Sequence, residues 1–314
     1  MLRDHGQRFP KKKDRLFIAS EKSKIDFMNE LTGYEWIKSC KICSGDQLVQ
    51  LTNSPVVNYY RCENCFAIFL SPQPSLATLK QRYTRQELLN TGPASAWFKH
   101  NKFYLKELSR ERLRDVLRYK EHGDLLDVGC GMGDFCGVAR EAGFNVFGTE
   151  FSDTYADQTK KTVGIKEIYI GRLQEINFSG RQFDVISLWH VLEHLPDPLE
   201  TLACLSKLLK TGGIVVIEVP NVEQKRKRPM YLSDLQDYPI DQLEHLFYYS
   251  GQSLQNACTK AGLKILNLNF VDAHQPAKNL VKHLLRKIKR PSKQLVYMGR
   301  PNKGFSAMRI YLTV

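Results

Sequence analysis

No apolar run in the 314-residue sequence is long enough to cross a membrane as a helix, which takes about 20 apolar residues in a row. The basic opening stretch, Met1–Arg15, also lacks the apolar core of a secretory signal. These two absences lead us to expect a soluble, cytoplasmic chain. Negative charge is scarce as well: 33 Asp and Glu stand against 46 Lys and Arg, a formal net charge of +13. The excess gathers at Arg8–Arg15, Lys225–Arg228 and Lys282–Lys293. It favours an anionic partner, such as a phosphorylated small molecule, a glycolipid or lipid surface, or a nucleic acid, while solvated basic tails would explain any single cluster equally well.

Another absence lies in the stretch Asp124–Glu150, around which the chain is organised. Leu125, Leu126 and Val128 make a short apolar strand, glycines follow at 129, 131 and 133, residues 134–142 have helical spacing closed by Gly143, and Asn145–Thr149 is a second strand. A dinucleotide site needs glycine at the sixth position of this turn, and Asp134 stands there. With Asp127 before the loop and Asp134 after it, the rim is acidic, which is wrong for a pyrophosphate and right for a cation. Bare backbone at the glycines lets a ligand lie close. Glu150, at the end of the second strand, is placed to accept hydrogen bonds from ribose hydroxyls. S-adenosylmethionine is an adenosine that carries a sulfonium and an ammonium and no phosphate.

Strand and helix patterns then alternate: a helix at Asp153–Val163, strands at Glu167–Ile170 and Phe183–Leu188, a helix at Asp197–Leu209, and a strand at Ile214–Val219. Ser250 caps a helix over 251–261, and strands follow at Lys264–Phe270 and 306–313. Asp127-Val128-Gly129-Cys130-Gly131-Met132-Gly133 resembles the first motif of class I S-adenosylmethionine-dependent methyltransferases. The stretch Leu188–Pro198, the turn Leu208–Gly213 and Glu244–Ser250 are similar to later motifs of one large branch. The resemblance covers about residues 120–272. It implies an α/β, doubly wound, seven-stranded Rossmann-like sheet whose last strand forms an antiparallel hairpin with the sixth. It implies S-adenosylmethionine as cofactor, bound by Asp127, Gly129, Gly131, Gly133, Glu150, Phe151, Gly171, Leu173 and Trp189. Arg172 departs from it, since relatives often place an acidic residue there.

Methyl transfer is an in-line displacement at an already activated carbon, so the protein mainly aligns the reactants, and a hydroxyl acceptor also needs its proton removed. His190 and His194 are the candidate bases; a loop-holding role is open for either. Some relatives, quinone O-methyltransferases and small-RNA methyltransferases among them, bind a divalent metal through Glu-x-x-Glu-His at this place. The matching residues here are His190, Glu193 and His194, with His245 further on, although His replaces the first Glu.

Of eight cysteines, four form Cys40-x2-Cys43 and Cys62-x2-Cys65, with eighteen residues between the pairs. That spacing fits a structural Zn²⁺ site of four thiolates in a zinc ribbon, with a hairpin at Leu48–Leu51 and Val56–Tyr60 and a strand at Ala67–Leu70. Few large apolar residues lie there, so metal binding is expected to supply its folding energy. Cys130, Cys136, Cys204 and Cys258 read as small core residues. The expected layout is a basic segment 1–35, a zinc ribbon 36–74, a helical linker or cap 75–119, and a methyltransferase domain 120–314 with an insertion at 273–303. Within the insertion, 277–290 is a basic amphipathic helix that either packs on the body or makes a peripheral contact with the inner face of a membrane. The layout resembles bacterial enzymes that methylate sugars of surface polysaccharides, and O-methylation of a sugar, glycan or glycolipid is the leading expectation. A metal-assisted RNA or quinone methyltransferase, and a non-catalytic zinc-ribbon protein binding nucleic acid, are the alternatives.

Overall fold

The structure, a computed structural model, describes residues 33–53, 57–84, 102–165, 167–222, 245–271 and 307–314. The insertion, its amphipathic helix and most of the connection after residue 222 lie outside the described residues.

The glycine-loop stretch folds as its pattern predicts. Strand β6 (Asp124–Val128) is buried from Leu125 on, α3 (Asp134–Glu141) buries Phe135, Cys136, Val138 and Ala139, and β7 (Asn145–Glu150) is buried after its first residue. Helix α4 (Asp153–Val163) is capped by the Ser152 side chain and ended by Gly164 in the left-handed region. Then come β8 (Ile168–Ile170), β9 (Phe183–Trp189), α5 (Pro198–Leu208), β10 (Leu209–Pro220), α6 (Gly251–Lys260), β12 (Lys264–Val271) and β13 (Ala307–Thr313). Ser250 caps α6 with a reciprocal capping box to Ser253. The seven strands run in the order β12-β13-β10-β9-β6-β7-β8, with β13 antiparallel to both neighbours. This is the expected doubly wound sheet with its terminal hairpin. Strand β10 begins at Leu209, earlier than the expected Ile214, because Leu209 pairs with Phe183 and the glycine turn is absorbed as an irregularity before Ile214.

The N-terminal half carries α1 (Leu76–Thr84), α2 (Lys102–Val116) and five short strands: β1 (Tyr34–Glu35), β2 (Leu48–Gln50), β3 (Asn58–Cys62), β4 (Ile68–Ser71) and β5 (Gln73–Pro74). Strands β2, β3 and β4 form the expected meander. The sequence offered no sign of its fourth member: β11 (Phe247–Tyr248), from the connection before α6, pairs antiparallel with β4 through Phe247 opposite Phe69 and Tyr248 opposite Ile68. The cysteine module is therefore not a self-contained unit. Tyr59, Phe69 and Leu70 lie in one continuous apolar cluster with Leu188, Leu192, Phe247 and Tyr249. This corrects the expectation that metal alone must supply the module's folding energy, since a shared core buries its large side chains.

Candidate functional site

A cavity of about 510 Å³ opens at the C-terminal ends of β6, β7, β8 and β9. Such an edge is where open α/β sheets place their ligands. Asp127, Gly129, Gly131, Glu150, Phe151, Gly171, Leu173 and Trp189 all line it, as do His190 and His194. Gly133 is the exception. At φ 78° it starts α3, and a Cβ there would lie 2.5 Å from Thr159 Cγ2, so the protein's own packing requires the glycine. The same holds at Gly129, where a Cβ would meet Val191 Cγ2 at 2.7 Å, whereas a Cβ at Gly131 would have nothing within 4 Å. Of the three glycines, Gly131 alone combines a place on the cavity wall with open space above it.

The loop is held from below. Thr159 Oγ1 donates to the Gly131 carbonyl (2.6 Å), and the Gly131 N–H donates to Glu150 Oε2 (2.9 Å). Glu150 Oε1 accepts from the N–H groups of Phe151 (2.8 Å) and Ser152 (3.0 Å). Burial raises the Glu150 pKa against these three donors. Asp127 is deeper: Oδ1 accepts from the Ser187 hydroxyl (2.7 Å), Oδ2 from the Cys136 thiol (3.4 Å), and burial pushes its pKa up to about 6.

The opposite wall is the loop after β9. His190 has φ 57°, an uncommon left-handed conformation for a side chain of its size, and its backbone N–H donates to the Glu218 carbonyl (2.9 Å). Its ring lies between two buried carboxylates, Nδ1 at 3.2 Å from Glu193 Oε1 and Nε2 at 3.2 Å from Glu218 Oε1. Desolvation opposes the imidazolium, but hydrogen bonds to Glu193 and Glu218 outweigh it and raise the pKa to about 9. Glu218 also accepts from Arg112 Nε (3.2 Å) and from Arg309 Nε (2.8 Å). Burial alone would raise its pKa; the two arginines hold it well below the usual carboxylate range. Arg112 and Arg309 lie over the Trp189 ring at 4.8 and 5.5 Å, and Phe135 packs beside it. With a carboxylate oxygen at each ring nitrogen, His190 offers no free nitrogen to accept a proton, so this geometry suits a positioning role better than the expected base.

His194 differs. Its ring meets that of His245 edge-on at 4.7 Å, and the potential ligand atoms of Glu193, His194 and His245 all lie within 4.8 Å of one another. His190 is not in that group. Burial and the neighbouring His194 lower the His245 pKa to about 4, so this ring is neutral. Glu193 is fully buried, and its Oε2 has no hydrogen-bond partner among the described residues.

Sequence reasoning expected a helical cap over 75–119 and singled out Arg172, and it missed Arg112 and the partners of Arg172. Leu76 and Leu79 of α1 and Leu105 of α2 reach the cavity, giving it an apolar side beside Leu195. Arg112 lines it from α2. Arg172 makes ion pairs with Glu175 (3.2 Å), Asp197 (3.4 Å) and Glu200 (3.5 Å), so the departure at this position is a locally neutralised rim residue. The helical periodicity of α2 was the available signal for Leu105. For Arg112 there was none, because Glu218 lies on a distant element; Arg172 has one near partner, Glu175, and two distant ones, Asp197 and Glu200.

On the far side of the β9 loop, Cys40, Cys43, Cys62 and Cys65 converge, with their sulfurs all within 4.8 Å of one another. The Cys40–Cys65 and Cys43–Cys62 separations are 3.5 and 3.4 Å, and all four thiols are free. The N–H groups of Ile42 and Gly45 donate to the sulfurs of Cys40 and Cys43, both at 3.4 Å. A tetrahedron with Zn–S bonds of about 2.3 Å has edges of about 3.8 Å, so the donor set fits that ion.

The profile of a methyltransferase-domain family matches residues 98–268. Over 107 residues the chain is 33% identical to a ubiquinone biosynthesis O-methyltransferase of Saccharophagus degradans, covering 32% of this chain and 45% of that protein. Over 113 residues it is 30% identical to a demethylmenaquinone methyltransferase of Staphylococcus saprophyticus, covering 34% and 48%. The match thus spans about half the length of these two curated relatives. In fold, the chain is similar to a chain from a Haloferax volcanii complex of a methyltransferase activator with a methyltransferase, at a TM-score of 0.50 and 13% identity, over 70% of this chain and 94% of that one.

Proposed function

This chain belongs to the methyltransferase-domain family matched over residues 98–268 and is an S-adenosylmethionine-dependent methyltransferase; from that premise we propose that its acceptor is a hydroxyl on an apolar ring of the quinol class. The observation that carries this reading is that Leu76, Leu79, Leu105 and Leu195 line the same cavity as the glycine loop. Leucines offer a sugar no hydrogen-bond partners, whereas an aromatic ring gains by burial against them. The names of the quinone-directed relatives agree. The leading expectation of a sugar acceptor thus gives way to the quinone alternative.

When bound, S-adenosylmethionine supplies an activated methyl group. Gly129, Gly131 and Glu150 would hold the adenosine side, with Phe151, Gly171 and Leu173 beside the base. Trp189, packed against Phe135 and under the two arginines, supports the wall at the end of β9. His194 is the residue we assign to the acceptor's proton, because it faces the cavity and has the buried Glu193 carboxylate nearby to stabilise its charged form. His190, protonated between its two carboxylates, positions that loop.

A second reading rests on the unpartnered Glu193 Oε2: a divalent cation held by Glu193, His194 and His245, which would polarise the acceptor oxygen. For the cysteine cluster we infer one structural Zn²⁺. Four thiolates fill a tetrahedron, so that ion would have no open position for chemistry.

Methyl-donor turnover against hydroquinones, nucleotide sugars, glycolipids and RNA tests the acceptor. Turnover is expected on hydroquinones; turnover on nucleotide sugars alone would overturn the reading. His194→Ala is expected to lower turnover about 10²- to 10⁴-fold with cofactor affinity kept. Calorimetric titration of chelator-treated protein with Mn²⁺ separates the base from the metal reading: a tight site lost in His245→Ala favours the metal.

A further inference from the structure

The cavity wall after β9 is gripped from the N-terminal module at both of its ends. At one end, the Leu246 N–H donates to the Glu193 carbonyl (2.8 Å), while the Leu246 carbonyl accepts from the Leu70 N–H (2.9 Å) and from Gln73 Nε2 (3.4 Å). The Tyr59 hydroxyl donates to the neighbouring His245 carbonyl (2.8 Å). At the other end stands Lys41, on the turn between Cys40 and Cys43. Its Nζ donates to the Pro196 carbonyl (3.0 Å) and to Asp197 Oδ1 (3.3 Å). Leu195, Pro196 and Asp197 all line the cavity. Asp197 passes the contact on: its Oδ2 accepts from Arg172 Nη2 (3.4 Å), and its carbonyl accepts from the Thr201 N–H (3.1 Å) at the start of α5.

A half-exposed ion pair between two flexible side chains is worth little by itself. Lys41 is better placed, because its stem rises from a turn whose backbone is fixed by the two cysteines it separates. Its ammonium meets a carbonyl as well as a carboxylate, so two bonds converge on one short segment. Besides the bonds of Asp197 to Arg172 and Thr201, the segment is tied by a turn in which the N–H groups of His194 and Leu195 donate to the carbonyls of Val191 (2.9 Å) and Leu192 (3.3 Å).

We infer that Lys41 is a positioning residue for the acceptor side of the cavity: it fixes Pro196 and Asp197 from the first cysteine turn, so that the state of the four-thiol site sets the shape of the wall that carries His194. The coupling to the thiols rests on the zinc reading above, and the role of Lys41 does not.

Hydrogen exchange of the full chain, followed peptide by peptide, tests both parts. In Lys41→Met, amides within 190–201 are expected to exchange about 3- to 10-fold faster, the factor that one lost net hydrogen bond implies. Peptides over 124–135 and 57–71 should keep their wild-type rates, and Lys41→Arg should restore protection. Stripping the metal with a thiol-directed mercurial and a chelator should reproduce the acceleration at 190–201. Unchanged exchange there in Lys41→Met overturns the role of Lys41, and so does acceleration shared equally with 57–71, which marks a module that is merely loosened. Metal removal without acceleration overturns the coupling. If the purified protein holds no zinc, the coupling falls with the zinc reading, while Lys41→Met still decides the rest.

Discussion

The two walls of the cavity are built in opposite ways. The wall proposed for the cofactor is local: Asp124 to Glu150 is one strand-loop-helix-strand unit, and two ties of its loop, Gly131 to Glu150 and Thr159 to Gly131, stay within it or the next helix. The wall proposed for the acceptor is assembled from afar. Lys41 reaches Pro196 and Asp197, Tyr59 reaches His245, and Arg112 and Arg309 converge on Glu218 beside His190. A cofactor common to a family can be held by a local motif. An acceptor peculiar to one member calls for parts drawn from the rest of the chain, where variation leaves the cofactor loop undisturbed.

Three substitutions would break or sharpen that contrast. Cys62→Ser should have the largest effect. A structural zinc site is worth on the order of 10 kcal/mol in isolated fingers, so on the proposed zinc reading the variant should fail to hold the ion and lose acceptor turnover. Because the module shares its core with the sheet, part of the lost order should spread to β11 and the His194 loop, while S-adenosylmethionine affinity stays. A collapse of cofactor affinity, read by calorimetry, would show that the two walls are not independent. Glu150→Ala acts on the other wall and should weaken S-adenosylmethionine by about 1–3 kcal/mol, because it removes a ribose acceptor and leaves three backbone donors unpaired. Zinc content should not change; unchanged cofactor affinity would remove Glu150 from the site. Asp127→Asn should have the smallest effect, and of opposite sign on stability. Burial raises this carboxyl to about 6 in the folded chain. Its protonated form therefore favours the fold fully below about pH 4, and that contribution is lost as pH rises through 6. Near pH 7.5 the variant should be more stable by about 1 kcal/mol, a fraction of what such a shift represents, and its melting temperature should vary less between pH 4 and 6. A variant less stable than wild type at pH 7.5 would contradict this.

The same contrast explains what could be read from residues alone. The sheet, the glycine turn, the Ser250 cap and the convergence of the four cysteines all follow from patterns within a few tens of residues, and the structure bears them out, with Glu150 standing at the end of β7. The reason for two of the glycines was not legible. Spacing suggested contact with a ligand, whereas Gly129 and Gly133 are required by Val191 and Thr159. His190 looked like a base because nothing in its neighbourhood announces Glu218, which arrives on the adjacent strand with two arginines already attached. A two-residue strand such as β11 has no periodicity to detect, and its partner lies in the other half of the chain.

The pairing of β11 with β4 has a consequence for how the chain is made. Synthesis proceeds from the N-terminus, so β2, β3 and β4 leave the ribosome long before Phe247 and Tyr248. Until then the buried strand Ile68–Ser71 presents an open, apolar edge, the kind of edge that recruits strands from other molecules. The first sheet to emerge is thus closed by one of the later segments to be made, and its completion waits for the connection that follows β10. A fragment ending before residue 245 should therefore self-associate even with its cysteines metallated, and a synthetic Phe247–Tyr248 strand supplied in trans should compete with that association.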